Sequence, residues 1–509
     1  MNKRWLKIGL LIPLILLALP FVFLMCEHVR GRVSLVLYRH SLIAKGEKLT
    51  ARDLASPPPQ GENGAPEIMQ VKAELKDGAL LPKHYPPKMR VMPSGRAVVC
   101  FEEEGWVENN ASNRWDQLAA DLATNATTLG RIRLALQKPV LDNNLDFSQG
   151  AKMLLPHLSP ARSLTFWFGA ESQLALHEGR TRDALPALLS VIQLPRLMAE
   201  DHVLISELVR IAIAGIARAD TWEALHADGW TDGDLARVQQ ALASQSFADA
   251  MVRALQSEVV HCSSSFDCFR KSNKETVALL DSMQLFQLAD EADWPLWEEA
   301  LKKIPSGEAL LDFIKKQVYC RLWRFAWLDQ CERRYLENSY HLLEIARTAT
   351  TNKSFLALEP TIDRLREGWT SRNFYDRLRN PAPDVFSSLP TVISKAMRAE
   401  TERSLVICAA ALKRYTLRHG SPPASLDALV PEFLSSVPID YMDGKPIKYR
   451  LDGGGSFVLY SVGADGKDDG GNLALLPDKA NRHNLWDRKD WVWPAPAKPD
   501  EIRAYRREL

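Results

Sequence analysis

The chain of 509 residues is 46% hydrophobic and 25% charged, with a net charge of +1 and seven cysteines. This length and composition are typical of a globular protein of two or three domains. The near-neutral charge, without a long Lys/Arg block, argues against a nucleic-acid partner, and the absence of a CxxC spacing argues against zinc. Cys262 and Cys268 would close a small disulfide loop in an oxidising compartment, or remain two thiols.

The N-terminal sequence predicts a membrane anchor. Residues 1–7 form a short basic tail, and residues 8–26 carry no charged side chain. A membrane span needs about 20 apolar residues, so we predict a transmembrane signal anchor over 8–26. A cleaved signal peptide is the competing interpretation, but the large side chains of Phe23, Leu24 and Met25 leave no small-x-small cleavage site. We therefore expect a single-pass inner-membrane protein with a cytoplasmic tail and most of the chain in the periplasm.

The next segment, 27–110, is rich in proline and glycine, including Pro57 to Pro59. Such composition favours extended structure over packed helices. We predict a stalk and a loose lead-in that hold the body off the membrane, with some strand at 96–101.

A body over 111–385 shows apolar residues at helical spacing and few strand signals. Its clearest unit is 161–194, where one helix with Leu164 and Phe168 ends at Gly179 and a second helix follows. This pair resembles a tetratricopeptide-type hairpin, although no 34-residue period repeats cleanly. Further helices are predicted at 201–219, 231–243, 247–261, 294–303, 307–323, 334–348 and 358–366.

The region 386–480 is predicted to begin with a long helix, about 391–418, that ends before Gly420. A short amphipathic helix should follow over 425–434, with Ser425 as its N-cap. Two strands, 446–450 and 456–461, then flank a glycine-rich turn and predict a β-hairpin.

The hairpin leads into an acidic loop rich in glycine. An ordered pattern runs through this stretch, made of Asp440, Gly444, Pro446, Tyr449, Tyr460, Ser461, Gly463, Ala464, Asp465 and Gly466. In this pattern the stretch resembles the C-terminal part of the major pseudopilin of type II secretion systems. The resemblance implies a small α+β domain in which Asp465, Asp468 and Asp469 bind a structural calcium ion. From the residues alone, hard oxygen ligands among flexible glycines suit calcium, but a solvated Asp/Gly turn has the same composition.

Catalytic motifs do not stand out. The sequence contains no nucleophile elbow, H-E-x-x-H helix, P-loop or dinucleotide fingerprint. His177 and Glu178 stand at a helix end, where a structural role is more usual than general-base catalysis. The segment 481–509 carries Trp486, Trp491 and Trp493, which either pack on the body or form a partner-binding strip.

Taken together, these patterns predict a mainly α fold with an N-terminal transmembrane helix, a tetratricopeptide-like body and a small C-terminal α+β domain. We expect a membrane-anchored envelope protein that binds or scaffolds other envelope proteins, in connection with a type II secretion-like machine. The alternatives are an envelope hydrolase whose active site the sequence does not display, and a genuine pilus subunit.

Overall fold

The computed structural model describes residues 3–54, 60–108, 111–147, 149, 153–282, 306–307, 310, 313–369, 373–380, 389–453 and 455–508. Side chains are described for these residues except 3–17, 51, 107–108, 111–112, 279–282, 315, 374, 377 and 508. The fold is mainly helical with few strands, which confirms the mainly α part of the prediction. The helices are α1 (Lys3–Ala44), α2 (Ala51–Leu54), α3 (Ala65–Lys72), α4 (Trp115–Leu136), α5 (Leu158–His177), α6 (Thr181–Gln193), α7 (Leu204–His226), α8 (Asp232–Ala243), α9 (Ala248–Lys271), α10 (Asn273–Ser282), α11 (Cys320–Ala326), α12 (Leu328–Asn352), α13 (Glu359–Trp369), α14 (Phe374–Arg379), α15 (Leu389–His419) and α16 (Pro499–Glu508).

Within the described ranges, seven short strands form three antiparallel sheets. The strands are β1 (Arg90–Val91), β2 (Ala97–Val98), β3 (Trp106–Glu108), β4 (Ala111–Asn113), β5 (Lys448–Leu451), β6 (Phe457–Ser461) and β7 (Trp491–Val492). β1 pairs with β2 and β3 with β4, while the third sheet has the order β5-β6-β7. In this sheet Tyr449 lies opposite Leu459, and Ser461 lies opposite Trp491.

The first helix is longer than the predicted membrane segment. α1 continues past Cys26 to Ala44, and its second half packs against α11 and α12. Most of the predicted span, 8–17, lies outside the residues whose side chains are described. Among the described residues, no helix has both the length and the apolar character that a membrane crossing requires.

The helical hairpin at the centre of the body is present as predicted. α5 and α6 pack on each other, and Gly179 between them has a φ of +70°. Glycine is favoured here because a side chain strains this left-handed conformation. Large side chains such as Phe168 and Leu188 are buried in the main core beside α7.

Several other predicted helices of the body begin and end near the expected residues, with some extension. The helix predicted over 307–323 is described only in part, chiefly as the π-helix Ile314–Tyr319 and the start of α11. The prediction over 231–243 matches α8, where Thr231 and Asp234 form a reciprocal capping box. α9 runs on to Lys271, well beyond the predicted end at His261. The helix predicted at 294–303 lies outside the described residues.

The stalk prediction for 27–110 is wrong over much of its length. Ile68 of α3 and Leu81 are buried in the main core, and the strands β1 and β2 pack beside them. The physical reason is that the body supplies acceptors for the backbone of this proline-rich segment. Asp121 of α4 accepts hydrogen bonds from the amides of residues 79–81 at 2.8, 2.8 and 3.0 Å.

The C-terminal region begins as predicted and then differs. α15 ends at His419, and Gly420 follows with a φ of +80°. The predicted helix 425–434 is only a 3₁₀ turn, Leu426–Leu429, and Ser425 makes no side-chain cap hydrogen bond. Pro431 explains the difference, because proline lacks an amide donor and disfavours helical geometry in the residue before it.

The tryptophan-rich segment packs back on the body and contributes the third strand of the hairpin sheet. Trp491 is fully buried, and the Arg218 guanidinium lies 5.3 Å from the centre of its ring. The indole of Trp222 in α7 donates to the carbonyl of Pro494 at 2.9 Å. This segment therefore links the hairpin sheet to the helices of the body.

The possible disulfide between Cys262 and Cys268 is not formed, and both are free thiols. Both lie on α9, six positions apart. At a rise of about 1.5 Å per residue, their α-carbons are too far apart for a disulfide.

Candidate functional site

The acidic loop predicted to bind calcium connects β6 to the return of the chain toward β7. Gly463 at its start has a φ of +68°, and a β-carbon there would lie 2.4 Å from the carbonyl oxygen of Lys489. The loop therefore crosses the neighbouring backbone at a distance that only glycine permits.

The three predicted calcium ligands each have a different protein partner. Asp465 accepts from the amide of Lys467 at 3.1 Å, and Asp468 accepts from the hydroxyl of Tyr460 at 3.0 Å. Asp469 forms an ion pair with Lys489 at 3.2 Å. Among the described residues of the chain, no three His, Cys, Asp or Glu side chains form a group that could hold a metal ion.

The loop is instead organised around Asp490, a residue that the sequence did not single out. Its buried carboxylate accepts from the amides of Gly471 and Asn472 at 2.9 and 2.7 Å, and from the amide of Asp469 at 3.4 Å. Burial raises the pKa of Asp490, and these amides oppose the rise. The loop thus forms a nest of N–H groups around an anion.

This arrangement does not fit a calcium shell as it stands. Calcium requires six to eight oxygen ligands directed at one point. Here the amides of Gly471 and Asn472 point toward Asp490, and Lys489 neutralises Asp469. The calcium site stays a prediction.

Asp440, a residue of the pseudopilin-like pattern, ties the long helix to the hairpin sheet. It is fully buried and accepts from the hydroxyl of Thr401 on α15 at 3.1 Å. It also accepts from the amides of Met442 and Val462 at 3.0 and 3.1 Å. Burial raises the pKa of Asp440. The residue has a clear structural role, since it joins three separate segments.

A second buried acidic site lies on α7. Glu223 accepts from the amides of Met89 and Cys100 at 2.6 and 3.0 Å, which fastens the lead-in segment to the body. Burial raises the pKa of Glu223 to about 8. One turn earlier, Asp220 forms a buried ion pair with Lys88. Sequence reasoning missed this site, although charged residues on the apolar face of a helix were a signal for it.

His157 and His177 both have structural contacts. His157 and Asp201 are almost fully buried, and their Nε2 and Oδ2 atoms lie 2.6 Å apart. Neither side chain reaches a solvent-exposed surface. His177 contacts the carbonyl of Phe101 through Nδ1 at 2.7 Å and stacks on Trp115. These contacts explain both histidines as parts of the packing.

An open groove lies between α12 and α13. It has a volume of about 460 Å³ and is lined by His341, Glu344, Ile345, Thr348, Leu358, Thr361, Arg364 and Leu365. The lining combines the apolar side chains of Ile345, Leu358 and Leu365 with polar and charged ones.

Comparisons of the chain with protein families, with curated proteins and with solved structures gave no match.

Proposed function

We propose that the protein is a membrane-anchored scaffold of the cell envelope whose helical body binds other proteins. The observation that carries this proposal is the continuity of α1. This helix runs from the uncharged segment 8–26 into a second half that is packed on the body. An anchor built in this way would hold the body next to the membrane without a flexible linker.

Glu332 of α12 is the centre of the contact between α1 and the body. It is fully buried and pairs with Arg39 of α1 and with Arg270 of α9. Ser263 of α9 also donates to it, at 3.3 Å. A buried carboxylate held by two guanidinium groups is stable only while its partners remain in place. The orientation of α1 is therefore fixed by three elements together.

Further contacts extend along α1. Gln330 donates to the Glu27 carboxylate at 2.8 Å, and the hydroxyl of Tyr375 donates to the same carboxylate at 2.7 Å. Beyond the end of the helix, Glu47 pairs with Arg347 at 2.6 Å. These contacts are spread over about five helical turns, so α1 and the body would form one rigid unit.

The groove between α12 and α13 is the surface that we assign to a protein partner. The α5–α6 hairpin, similar to a tetratricopeptide hairpin, and the pseudopilin-like C-terminal region support a scaffolding role beside a type II secretion-like machine. In this function the acidic residues of the interior stabilise the fold and perform no chemistry.

Membrane anchoring is tested by fractionation of cells that express the full chain. We expect the protein to stay in the membrane pellet after alkaline carbonate extraction. A variant with Leu14→Arg and Leu17→Arg should be extracted, because arginine at the centre of a span is strongly unfavourable. The control Leu134→Arg changes an exposed residue of α4. Extraction of the parent protein would refute the anchor.

Partner binding is tested by a photo-crosslinking amino acid at Thr361, on the groove, with Leu417 as an exposed control position on α15. We expect the Thr361 probe to capture a defined envelope protein, identified by mass spectrometry, and the Leu417 probe not to capture it. Leu365→Asp should abolish capture, while Ala357→Asp, an exposed change nearby, should not. Equal capture from both probes would refute a specific groove.

A further inference from the structure

The helix that precedes α12 has an apolar face turned away from the core. Phe313, Val318, Leu322 and Phe325 are 58%, 44%, 39% and 42% exposed. The spacing of five between the first two spans the wider π turn Ile314–Tyr319, so all four lie along one side. We define these four residues as the outer stripe.

The opposite side of the same helix is anchored in a small core. Trp323, Ala326 and Trp327 are buried there together with Phe266 and Phe269 of α9. The outer stripe is therefore held in place by packing behind it. Large exposed apolar side chains on one stable face indicate a surface with a partner.

The position of the stripe relative to α1 identifies this partner. The rings of His28 and Phe325 are stacked with centres 4.7 Å apart, and Leu24 packs against the small core. α11 thus lies beside α1 at the point where the uncharged segment 8–26 ends. If that segment is within the bilayer, the outer stripe is at the level of the lipid headgroups.

We propose that the outer stripe is a membrane-contacting surface that dips into the lipid headgroup region beside α1. This inference rests on the proposed anchoring by α1. Arg321 and Arg324 each precede a residue of the stripe, so basic groups accompany Leu322 and Phe325. Apolar and aromatic side chains with neighbouring arginines are typical of interfacial helices that bind anionic lipids.

Exposed apolar residues on α1 also favour lipid over a second helix as the partner. On α1 itself, Leu19, Phe21 and Val22 are also exposed, and they lie in the uncharged segment 8–26. A fluid lipid phase accommodates exposed apolar residues on both helices.

The test uses the full chain reconstituted in vesicles of phosphatidylcholine, with and without phosphatidylglycerol. An environment-sensitive fluorescent amino acid is placed at Leu322, at Leu19 or at Leu134 in separate proteins. Leu19 reports the anchor, and Leu134 is an exposed control position on α4. Lipids with brominated acyl chains then quench only the probes that contact the bilayer.

We expect bromolipid to quench the probes at Leu19 and Leu322 and to leave the probe at Leu134 unchanged. Phosphatidylglycerol should strengthen quenching at Leu322, and the variant Arg321→Glu with Arg324→Glu should reverse that gain. Quenching at Leu19 without quenching at Leu322 would overturn the proposed stripe and leave the anchor intact. Absence of quenching at both positions would overturn the anchor, and the stripe with it. A blue-shifted but unquenched Leu322 probe would show that protein covers the stripe, which also overturns the proposal.

Discussion

The ammonium group of Lys88 lies 2.7 Å from Oδ2 of Asp220, in a site where these side chains are only 6% and 1% exposed. The pair joins the lead-in segment to α7. Burial raises the pKa of Asp220, and the nearby ammonium group opposes the rise. Gly169 of α5 makes room for the pair, because a β-carbon there would overlap with Lys88.

Removing one partner of this pair should be costly. We expect Lys88→Met to lower the free energy of unfolding by about 3–5 kcal/mol, since it leaves a buried carboxylate without its counter-charge. The double variant Lys88→Met with Asp220→Leu should recover much of this loss. The measurement is urea unfolding of both variants and the parent.

Arg114→Met, which breaks an exposed pair, is the control and should have little effect. An equal loss in the single and double variants would contradict a charge-based explanation.

Glu223 should make the stability depend on pH. Its pKa is raised from an ordinary value of 4.5 to about 8 in the folded chain, mainly by burial. The folded state therefore holds a proton that the unfolded state has released over this range. The free energy of unfolding therefore has its full value below about pH 4.5. It falls as the pH rises, and the loss is complete once the pH has passed about 8.

This dependence is measured by unfolding the protein at a series of pH values between these limits. Glu223→Gln removes the titrating group but keeps an acceptor for the amides of Met89 and Cys100. We expect a flatter decline of stability with pH in this variant than in the parent. If the free energy of unfolding declines with pH equally in the variant and the parent, other groups such as Asp220 or Asp440 cause the dependence.

Asp490 should determine the stability of the acidic loop. Asp490→Asn replaces one acceptor oxygen by a donor group that faces the loop amides. We expect a loss of about 1–3 kcal/mol, the typical cost of unsatisfied buried polar groups. Asp465→Asn is the matched control on the loop and should have little effect, because Asp465 is exposed and accepts from the amide of Lys467 of its own turn.

The same proteins test the calcium prediction. If Asp490 organises the loop alone, the unfolding midpoint of the parent should be equal in calcium and in chelator. A rise of the midpoint with calcium, absent from an Asp465→Ala, Asp468→Ala, Asp469→Ala variant, would establish the ion as a ligand of the folded state.

Trp491 should be the main contact of the C-terminal segment. We expect Trp491→Ala to cost about 3–5 kcal/mol, because it opens a cavity under the hairpin sheet and removes the ring beside Arg218. Leu451→Ala, at an exposed strand position, should change stability little. Denaturant unfolding followed by tryptophan fluorescence is the measurement. A small loss at Trp491 would show that the segment does not support the core.

The sequence by itself determined the elements that depend on neighbouring residues. Local spacing, capping and turn residues are enough to predict the α5–α6 hairpin around Gly179, the start of α8 after Thr231 and the antiparallel pair β5–β6. Their signals lie within a few positions, where backbone preference and side-chain period act directly.

Only the tertiary structure decided how the chain satisfies its buried polar groups. The amides of Met89 and Cys100 find their acceptor on Glu223, more than a hundred residues away, so composition indicated a free stalk where the fold holds a packed segment. Likewise Asp490, which directly precedes β7, accepts hydrogen bonds from the amides of the acidic loop. A residue's local pattern cannot show which distant donor will face it, because that pairing arises only when the helices and the sheet have packed together.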